Sequence, residues 1–148
     1  MTNTYGPRVR IKDAKQTFID IWLRNIIEKK PIIIFGDGLQ VRDLTYIDDL
    51  VDAFLLSAIS NSDKSEIFNL GGEKISLLDL AKTFQSINPN CKYELQPFPI
   101  DRKAIDIGNY YADDSKIKKL LGWESKTNLF EGLKKCLDFY EENSHYYL

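Results

Sequence analysis

The chain has 148 residues, of which 43% are hydrophobic and 28% are charged, and this is the composition of one globular domain. Its net charge of -2 argues against a nucleic-acid partner, because nonspecific binding to nucleic acid needs a basic surface. The sequence contains neither an apolar run of about eighteen residues nor a secretory signal core, so we expect no membrane association and a cytoplasmic location.

The histidine and cysteine content argues against two kinds of site. With a single histidine, His145, a metal site or a Ser-His-Asp triad is not expected. Cys91 and Cys136 lie far apart in the sequence, and we predict two free thiols rather than a disulfide.

Hydrophobic periodicity and turn residues divide the chain into alternating elements. Helical spacing of apolar residues, with capping residues at several ends, predicts five helices, over 13–29, 48–59, 76–87, 114–121 and from 128 onward. Apolar and β-branched runs predict extended segments over 32–35, 39–46, 66–70 and 91–98. Polar loops are expected over 61–64 and 101–111. This alternation of strands and helices predicts an α/β fold.

A glycine-rich turn, Gly36-Asp37-Gly38, follows the apolar run 32–35. A dinucleotide-binding fingerprint would need a third glycine where Val41 stands, and a helix directly after the turn. The residues after the turn do not read as a helix, and Asp37 would repel a pyrophosphate. We therefore interpret this segment as an ordinary turn.

Arg42 is the first candidate binding residue, because a guanidinium grips phosphate oxygens with two hydrogen bonds and stays charged at physiological pH. The alternative is a structural ion pair with Asp43, Asp48 or Asp49. The residues alone leave both interpretations open.

The loop over 101–111 contains a second candidate site. Arg102 and Lys103, followed by Asp106, Tyr110 and Tyr111, are suited to hold a phosphorylated ligand with a ring against its base or sugar. The alternative is a solvated loop whose tyrosines pack on the core.

Six motifs, which include the segments described above, occur together in a recognisable order. They are Asn3-Thr4-Tyr5-Gly6-Pro7-Arg8, Phe35-Gly36-Asp37-Gly38, Gln40-x-Arg42-Asp43 with Tyr46-Ile47-Asp48-Asp49, Phe68-Asn69-Leu70-Gly71-Gly72, Asp106-Ile107-Gly108 with Tyr110-Tyr111-Ala112-Asp113, and Leu121-Gly122-Trp123. Over nearly its whole length the chain resembles the C-terminal half of the extended short-chain dehydrogenases. Within them it resembles the NAD-dependent nucleotide-sugar epimerases and dehydratases.

This resemblance implies a fold and a set of roles. The chain would be the substrate-binding C-terminal portion, with late strands of a Rossmann parallel sheet, one of them over 68–72. Asn3 would end a Rossmann strand and contact the sugar phosphate, and Arg42 would bind the nucleotide pyrophosphate. Arg102 or Lys103 would supply a second phosphate-binding cation. Asp106 would lie near the nucleotide and Tyr110 near the sugar.

The family's catalytic groups are not found in this sequence. The family uses a Tyr-x-x-x-Lys pair as its acid and base, and no tyrosine here has a lysine four residues later. We therefore expect residues 1–148 to form a single unit that lacks the N-terminal NAD-binding Rossmann half. No catalytic residue and no NAD binding are assigned to this chain alone, although NAD serves the intact family enzyme.

Two functions follow as expectations. In the first, the chain holds a nucleotide diphosphate sugar for an NAD-dependent epimerase or dehydratase and is inactive by itself. In the second, it is a non-catalytic nucleotide-sugar-binding module, or a subunit or remnant of a split enzyme that depends on a Rossmann-containing partner. Strands taken from a parallel sheet would leave apolar surface exposed, which favours such a partner or self-association.

Overall fold

A computed structural model describes residues 3–12, 14, 17–61 and 65–148. Its elements alternate along the chain and confirm the α/β class. In order they are β1 (Thr4–Tyr5), α1 (Phe18–Ile27), β2 (Ile32–Phe35), β3 (Val41–Tyr46), α2 (Ile47–Ile59), β4 (Glu73–Ser76), α3 (Leu77–Ile87), β5 (Tyr93–Gln96), α4 (Ile100–Lys103), α5 (Ser115–Leu121) and α6 (Leu129–Tyr147).

The strands form two small sheets. In the first, β3 lies between β1 and β4, and it runs parallel to β1 but antiparallel to β4. In the second, β2 and β5 pair in parallel, with Ile32 opposite Tyr93 and Phe35 opposite Gln96. The expected parallel pairing is therefore present, and β4 makes the first sheet mixed.

The first helix is shorter than the predicted span of 13–29. It begins at Phe18 because the Thr17 hydroxyl accepts a hydrogen bond from the Asp20 amide and caps the first turn. The predicted start at Asp13 lies outside the described residues. The extended segments 32–35 and 39–46 and the helix over 48–59 are confirmed within one or two residues.

The prediction of a strand over 66–70 is wrong, and β4 was not predicted. The described residues provide no strand that pairs with 66–70, and a strand forms only where a neighbour completes its hydrogen bonds. β4 follows Gly72, whose missing side chain allows its backbone to approach the Leu44 carbonyl directly. This close approach brings Glu73–Ser76 alongside β3.

The remaining helices largely follow the predictions. The Ser76 hydroxyl accepts from the Asp79 amide at 3.0 Å, and the Asn128 side chain accepts from the Glu131 amide at 3.4 Å. Gly122 ends α5 in the left-handed region, with φ of 66°. The predicted loop over 101–111 is wrong in one respect, because Ile100–Lys103 forms one helical turn after Pro99.

Two apolar clusters stabilise the fold. The larger one joins β2 and β3 to the inner faces of α1, α3 and α6, and it contains both cysteines, which are free thiols as predicted. The smaller one consists of Leu50, Ala53, Leu70, Ile117 and Trp123. The Tyr140 hydroxyl on α6 donates to the Val9 carbonyl at 2.8 Å and ties the last helix to the first loop. Within the described ranges, no helix is long and apolar enough to cross a membrane.

Asp49 connects α2 to the segment after α5. Its buried carboxylate accepts hydrogen bonds from the Ser125 hydroxyl and the Thr127 amide, each at 3.0 Å. Its backbone carbonyl accepts from the Trp123 indole at 2.8 Å. The smaller cluster is therefore closed by three hydrogen bonds to one residue.

Candidate functional site

The candidate site forms where β3 meets the segment 106–112. The Val41 amide donates to the Asn109 side-chain oxygen at 2.9 Å, and the Tyr110 amide donates to the Val41 carbonyl at 3.0 Å. A parallel bridge pairs Arg42 with Tyr110. These bonds fix the position of a long loop against the rigid start of β3, which is the usual way in which proteins hold binding residues.

The Arg42 guanidinium lies at the centre of this junction, with only 12% of its side chain exposed. Its Nη1 donates to the carbonyls of Val41 and Gly108, and its Nη2 lies 3.6 Å from Asp106 Oδ1. Asp106 Oδ2 in turn accepts from Gln40 Nε2 at 3.2 Å. The carboxylate beside Arg42 is therefore that of Asp106, and not one of the three aspartates close in sequence that we considered.

Those three aspartates have other surroundings. Asp43 is buried and accepts a hydrogen bond from the Ala112 amide at 2.9 Å, so it also fastens the 106–112 segment to β3. Asp49 serves the smaller apolar cluster, as described above, and Asp48 is exposed. The local ion pair considered for Arg42 is replaced by contacts between distant parts of the chain.

The two cations of α4 are exposed beside this junction. The Arg102 guanidinium carbon lies 5.6 Å from the centroid of the Phe35 ring, and Phe35 packs on Phe98. The Asp106 amide donates to the Lys103 carbonyl at 3.4 Å, so α4 leads directly into the carboxylate beside Arg42. Arg102 and Lys103 therefore lie close in sequence to the carboxylate that pairs with Arg42, and both side chains are exposed.

Asn3 lies farther away, at the opposite end of β3. Its carbonyl accepts from the Thr45 amide at 3.4 Å. Its φ of 44° is in the left-handed region, so β1 begins after it, at Thr4. The resemblance implied that Asn3 ends a strand, but Asn3 stands just before one. The structure thus brings Arg42, Asp106 and Tyr110 together, with Arg102 and Lys103 beside them and Asn3 apart.

Sequence reasoning missed three residues of this junction. Gln40 belongs to the Gln40-x-Arg42-Asp43 motif, and that membership was the only signal for its contact with Asp106. Asn109 has no local signal, because its partner lies on β3. Lys74 on β4 places its ammonium 4.1 Å from the centroid of the Tyr111 ring, so it contacts the same segment 106–112.

The segment that leads out of the site is also fixed by hydrogen bonds. Asp113 Oδ1 accepts from the Ser115 amide at 3.0 Å. Hydrogen bonds from the Ser115 side chain and backbone hold the pKa of the Asp113 carboxyl below its usual value. Asp113 therefore stays ionised and secures the start of α5 next to the candidate site.

The glycine-rich turn before β3 does not fit the pyrophosphate of NAD. The turn leads into β3 and not into a helix. The turn contacts the start of α3, but the Leu77 and Leu78 amides there already donate to the carbonyls of Gln40 and Gly38. These amides are therefore not available to a phosphate. The interpretation of this segment as an ordinary turn is confirmed. Among the described residues, no group of His, Cys, Asp and Glu side chains could hold a metal ion.

The sequence of this chain is similar to those of known enzymes. Residues 1–71 match the model of the NAD dependent epimerase/dehydratase family. The chain is 41% identical over 142 residues to the UDP-glucuronate 4-epimerase of Thermodesulfobacterium geofontis, covering 94% of this chain and 41% of that protein. It is 36% identical over 133 residues to UDP-glucuronic acid decarboxylase 4 of Arabidopsis thaliana, covering 88% of this chain and 28% of that protein.

The similarity extends to the three-dimensional structure. The crystal structure of UDP-glucuronic acid 4-epimerase from Bacillus cereus, in complex with UDP-glucuronic acid and NAD, superimposes on 95% of this chain. The TM-score is 0.79 and the sequence identity is 27%. The resemblance to the NAD-dependent nucleotide-sugar epimerases and dehydratases is confirmed.

The extent of the match is as informative as its quality. The chain spans 28% to 41% of the two relatives described above, and 43% of the Bacillus cereus enzyme. The chain therefore spans less than half the length of each of these three enzymes.

Proposed function

We propose that this chain is the substrate-binding part of an NAD-dependent nucleotide-sugar epimerase or dehydratase, and that it holds the diphosphate of the sugar nucleotide at Arg42. The observation that supports this most strongly is the junction of Arg42, Asp106 and Tyr110 at the start of β3, with the exposed Arg102 and Lys103 beside it. Relatives that bind UDP-sugars make a nucleotide diphosphate sugar the ligand of choice.

The role of Arg42 follows from its charge and its neighbours. A guanidinium forms two parallel hydrogen bonds to phosphate oxygens, and these are about twice as strong as neutral hydrogen bonds. The contact with Asp106 at 3.6 Å is longer than a hydrogen bond, so a phosphate that displaces the Asp106 carboxylate would form a stronger contact with that side of the guanidinium. The carbonyls of Val41 and Gly108 keep the rest of the group in place.

The other residues would orient the sugar nucleotide. Arg102 and Lys103 add positive charge within one turn of helix of the Asp106 carboxylate. Tyr110 is 39% exposed, and its ring would offer an apolar surface to the sugar. Asn3, at the other end of β3, would contact the sugar phosphate only if the ligand extends along the strand.

The chemistry itself would be supplied from outside this chain. NAD provides hydride transfer in the family, and the glycine turn of this chain does not fit NAD. The family's acid and base, a Tyr-x-x-x-Lys pair, is not present in this sequence. We therefore assign the residues of this chain to binding and orientation and assign none to catalysis.

One feature favours the second candidate function, a nucleotide-sugar-binding module or a subunit that depends on a partner. The sequence has no Tyr-x-x-x-Lys pair, so any turnover requires a tyrosine from another polypeptide segment. Cytoplasmic location stays a prediction from the sequence.

Calorimetric titration of the 148-residue chain with UDP, dTDP and CDP sugars tests the proposal. We expect one of these series to bind, and Arg42→Ala to weaken that binding about 10- to 100-fold, because a charge-assisted contact contributes about 1.5–3 kcal/mol. Arg42→Lys should lose a large part of the affinity too, since lysine lacks the planar fork.

Matched variants separate binding from folding. Arg24→Ala removes a half-buried arginine that pairs with Glu28 one helical turn away, and it should leave affinity unchanged. Arg102→Ala changes an exposed side chain and should weaken binding without lowering the melting temperature. The absence of binding to every sugar nucleotide, or equal binding by the Arg42 variants, would contradict the proposal.

A further inference from the structure

The segment 100–108 is exposed although it contains three isoleucines. Ile100, Ile105 and Ile107 are 91%, 78% and 69% exposed. We call this segment, which consists of α4 and the residues that follow it, the α4 arm. Single exposed apolar residues are common, but three so close together beside a candidate binding site indicate a surface that is covered in another state of the protein.

The backbone of the α4 arm is held mainly by its own hydrogen bonds. The amides of Lys103, Ala104, Ile105 and Asp106 each donate to a carbonyl three or four positions earlier in the chain. Among the described helices and strands, none packs extensively on α4. The arm can therefore move as a unit without breaking the hydrogen bonds of β3 or β5.

One carboxylate ties the α4 arm to the start of β3. Asp106 Oδ1 lies 3.6 Å from Arg42 Nη2, and Asp106 Oδ2 accepts from Gln40 Nε2 at 3.2 Å. The other contact is a weaker one, in which the Arg102 guanidinium lies over the Phe35 ring at 5.6 Å. The Asp106 carboxylate is therefore the main tether of the arm.

Gly108 provides a hinge at the end of the arm. Its φ is 66°, and no atom of the described residues lies within 4 Å of the place that a side chain would take. Its carbonyl accepts from Arg42 Nη1, and the next residue, Asn109, accepts from the Val41 amide. Rotation about the N–Cα bond of Gly108 therefore moves the arm and leaves the Gly108 carbonyl on Arg42.

The isoleucines of the arm supply what the candidate site lacks. Sites for small ligands bury most of the ligand and are lined largely by apolar side chains. Arg42, Gln40 and Asp106 are polar, and they leave the nucleoside of a sugar nucleotide without an apolar wall. Ile105 and Ile107 flank Asp106 in the sequence, so a movement of the tether moves both of them.

We propose that the α4 arm is a lid, which the diphosphate of the ligand releases and which then closes over the nucleoside. The inference rests on the function proposed above, in which a phosphate binds Arg42. Such a phosphate displaces Asp106 because it offers the guanidinium two charged oxygens at hydrogen-bond distance, whereas the contact with Asp106 is longer. Closure removes the Ile105 and Ile107 side chains from water, which favours the closed state.

Cover of the same isoleucines by another polypeptide is the alternative, since the three relatives described above are longer than this chain. The two are distinguished with the chain by itself, because only a lid responds to the ligand without a partner.

Limited proteolysis of the 148-residue chain tests the inference, because trypsin cleaves after Arg102 and Lys103 in the arm. We expect a bound sugar nucleotide to slow this cleavage about tenfold, since the closed arm is shielded. Pyrophosphate, which displaces Asp106 but has no nucleoside, should not slow it. Cleavage after Lys126, in the exposed segment between α5 and α6, is the internal control and should not change.

Calorimetry of two isoleucine variants provides the second measurement. Ile105→Asn and Ile107→Asn should each weaken the binding of the sugar nucleotide about tenfold, because an apolar contact with the nucleoside is lost. The binding of pyrophosphate should stay unchanged, since asparagine adds no charge near the phosphate. Ile59→Asn, at an exposed position of α2, should bind both ligands like the wild type. All three positions are exposed, so the melting temperatures should match that of the wild type.

The outcomes separate the lid from the function on which it rests. A sugar nucleotide that binds without slowing the cleavage, or that the Ile105 and Ile107 variants bind like the wild type, would overturn the lid and leave the proposed function standing. Equal protection by pyrophosphate would also overturn the lid, because it would show direct contact of phosphate with Arg102 and Lys103. The absence of binding to any sugar nucleotide would overturn both.

Discussion

Neighbouring residues of the same type have different roles in this chain, and the difference comes from distant contacts. Asp48 and Asp49 both open α2, where acidic residues favour the positive end of the helix dipole. Asp48 is exposed, whereas Asp49 is buried and accepts hydrogen bonds from Ser125 and Thr127. Only tertiary structure distinguishes the two positions.

Asp49→Ala should therefore lower the free energy of unfolding by about 2 kcal/mol, because two half-buried donors lose their acceptor. Asp48→Ala is the matched control, and it should cost less than about 1 kcal/mol since it loses only a dipole interaction. Urea denaturation followed by circular dichroism measures both. Equal costs for the two variants would mean that the hydrogen bonds of Asp49 contribute little.

The candidate site illustrates how far residue-level prediction reaches. Arg42 and Tyr110 could be selected from residue type and from the resemblance, and the structure places them side by side. The contact of Arg42 with Asp106 could not be predicted from the residues alone. Asp43, Asp48 and Asp49 lie closer to Arg42 in the sequence and were equally plausible partners. Asn109 could not be found at all, since its hydrogen bond to Val41 depends on how the loop folds back.

At the scale of whole elements, the ends of helices could be predicted from nearby residues, whereas the pairing of strands could not. Helix starts at Ser76 and Asn128 and the helix end at Gly122 were predicted correctly, because a cap is formed by residues within one turn. The strand predicted over 66–70 was wrong and β4 was missed, since strand formation depends on a partner that sequence periodicity does not identify.

The cap of α3 can be tested by substitution. Ser76→Ala should lower the free energy of unfolding by about 1 kcal/mol, because the Asp79 amide loses its acceptor. Ser86→Ala, on the exposed side of the same helix, should change stability by less than about 0.5 kcal/mol. Thermal unfolding of the two variants provides the comparison, and an equal effect would rule out a specific capping contribution.

For the molecule as a whole, burial of titratable groups in the larger apolar cluster sets the response to alkali. Burial raises the pKa of the Cys91 thiol to about 11 and that of Cys136 to about 12. Burial also raises the pKa values of the Tyr5 and Tyr140 hydroxyls above 10. The folded chain therefore keeps protons that the unfolded chain releases.

The sign of the pH dependence follows from this difference. The contribution of each group is fully present below its unfolded pKa, which is 9.0 for the thiols and 10.0 for the phenols, and it is lost as pH rises toward the folded value. We expect the free energy of unfolding to fall above pH 9, by up to about 1.4 kcal/mol per pH unit for each group.

Guanidinium denaturation at pH 8, 9 and 10 measures this decrease. Cys91→Ala should show a smaller decrease than the wild type between pH 9 and 10, because one buried thiol has been removed. A free energy of unfolding that stays constant or rises over this range would show that these groups are not shielded in the folded chain.

The hydrogen bond from Tyr140 to the Val9 carbonyl has a consequence for how the chain is made. The larger core cluster includes Leu133, Leu137 and Tyr140 of α6 together with side chains of α1. While the chain is being synthesised, α1 leaves the ribosome long before α6, and the part of its apolar face that α6 covers stays exposed. The core can therefore close only after α6 has left the ribosome, and until then the exposed apolar surface favours aggregation.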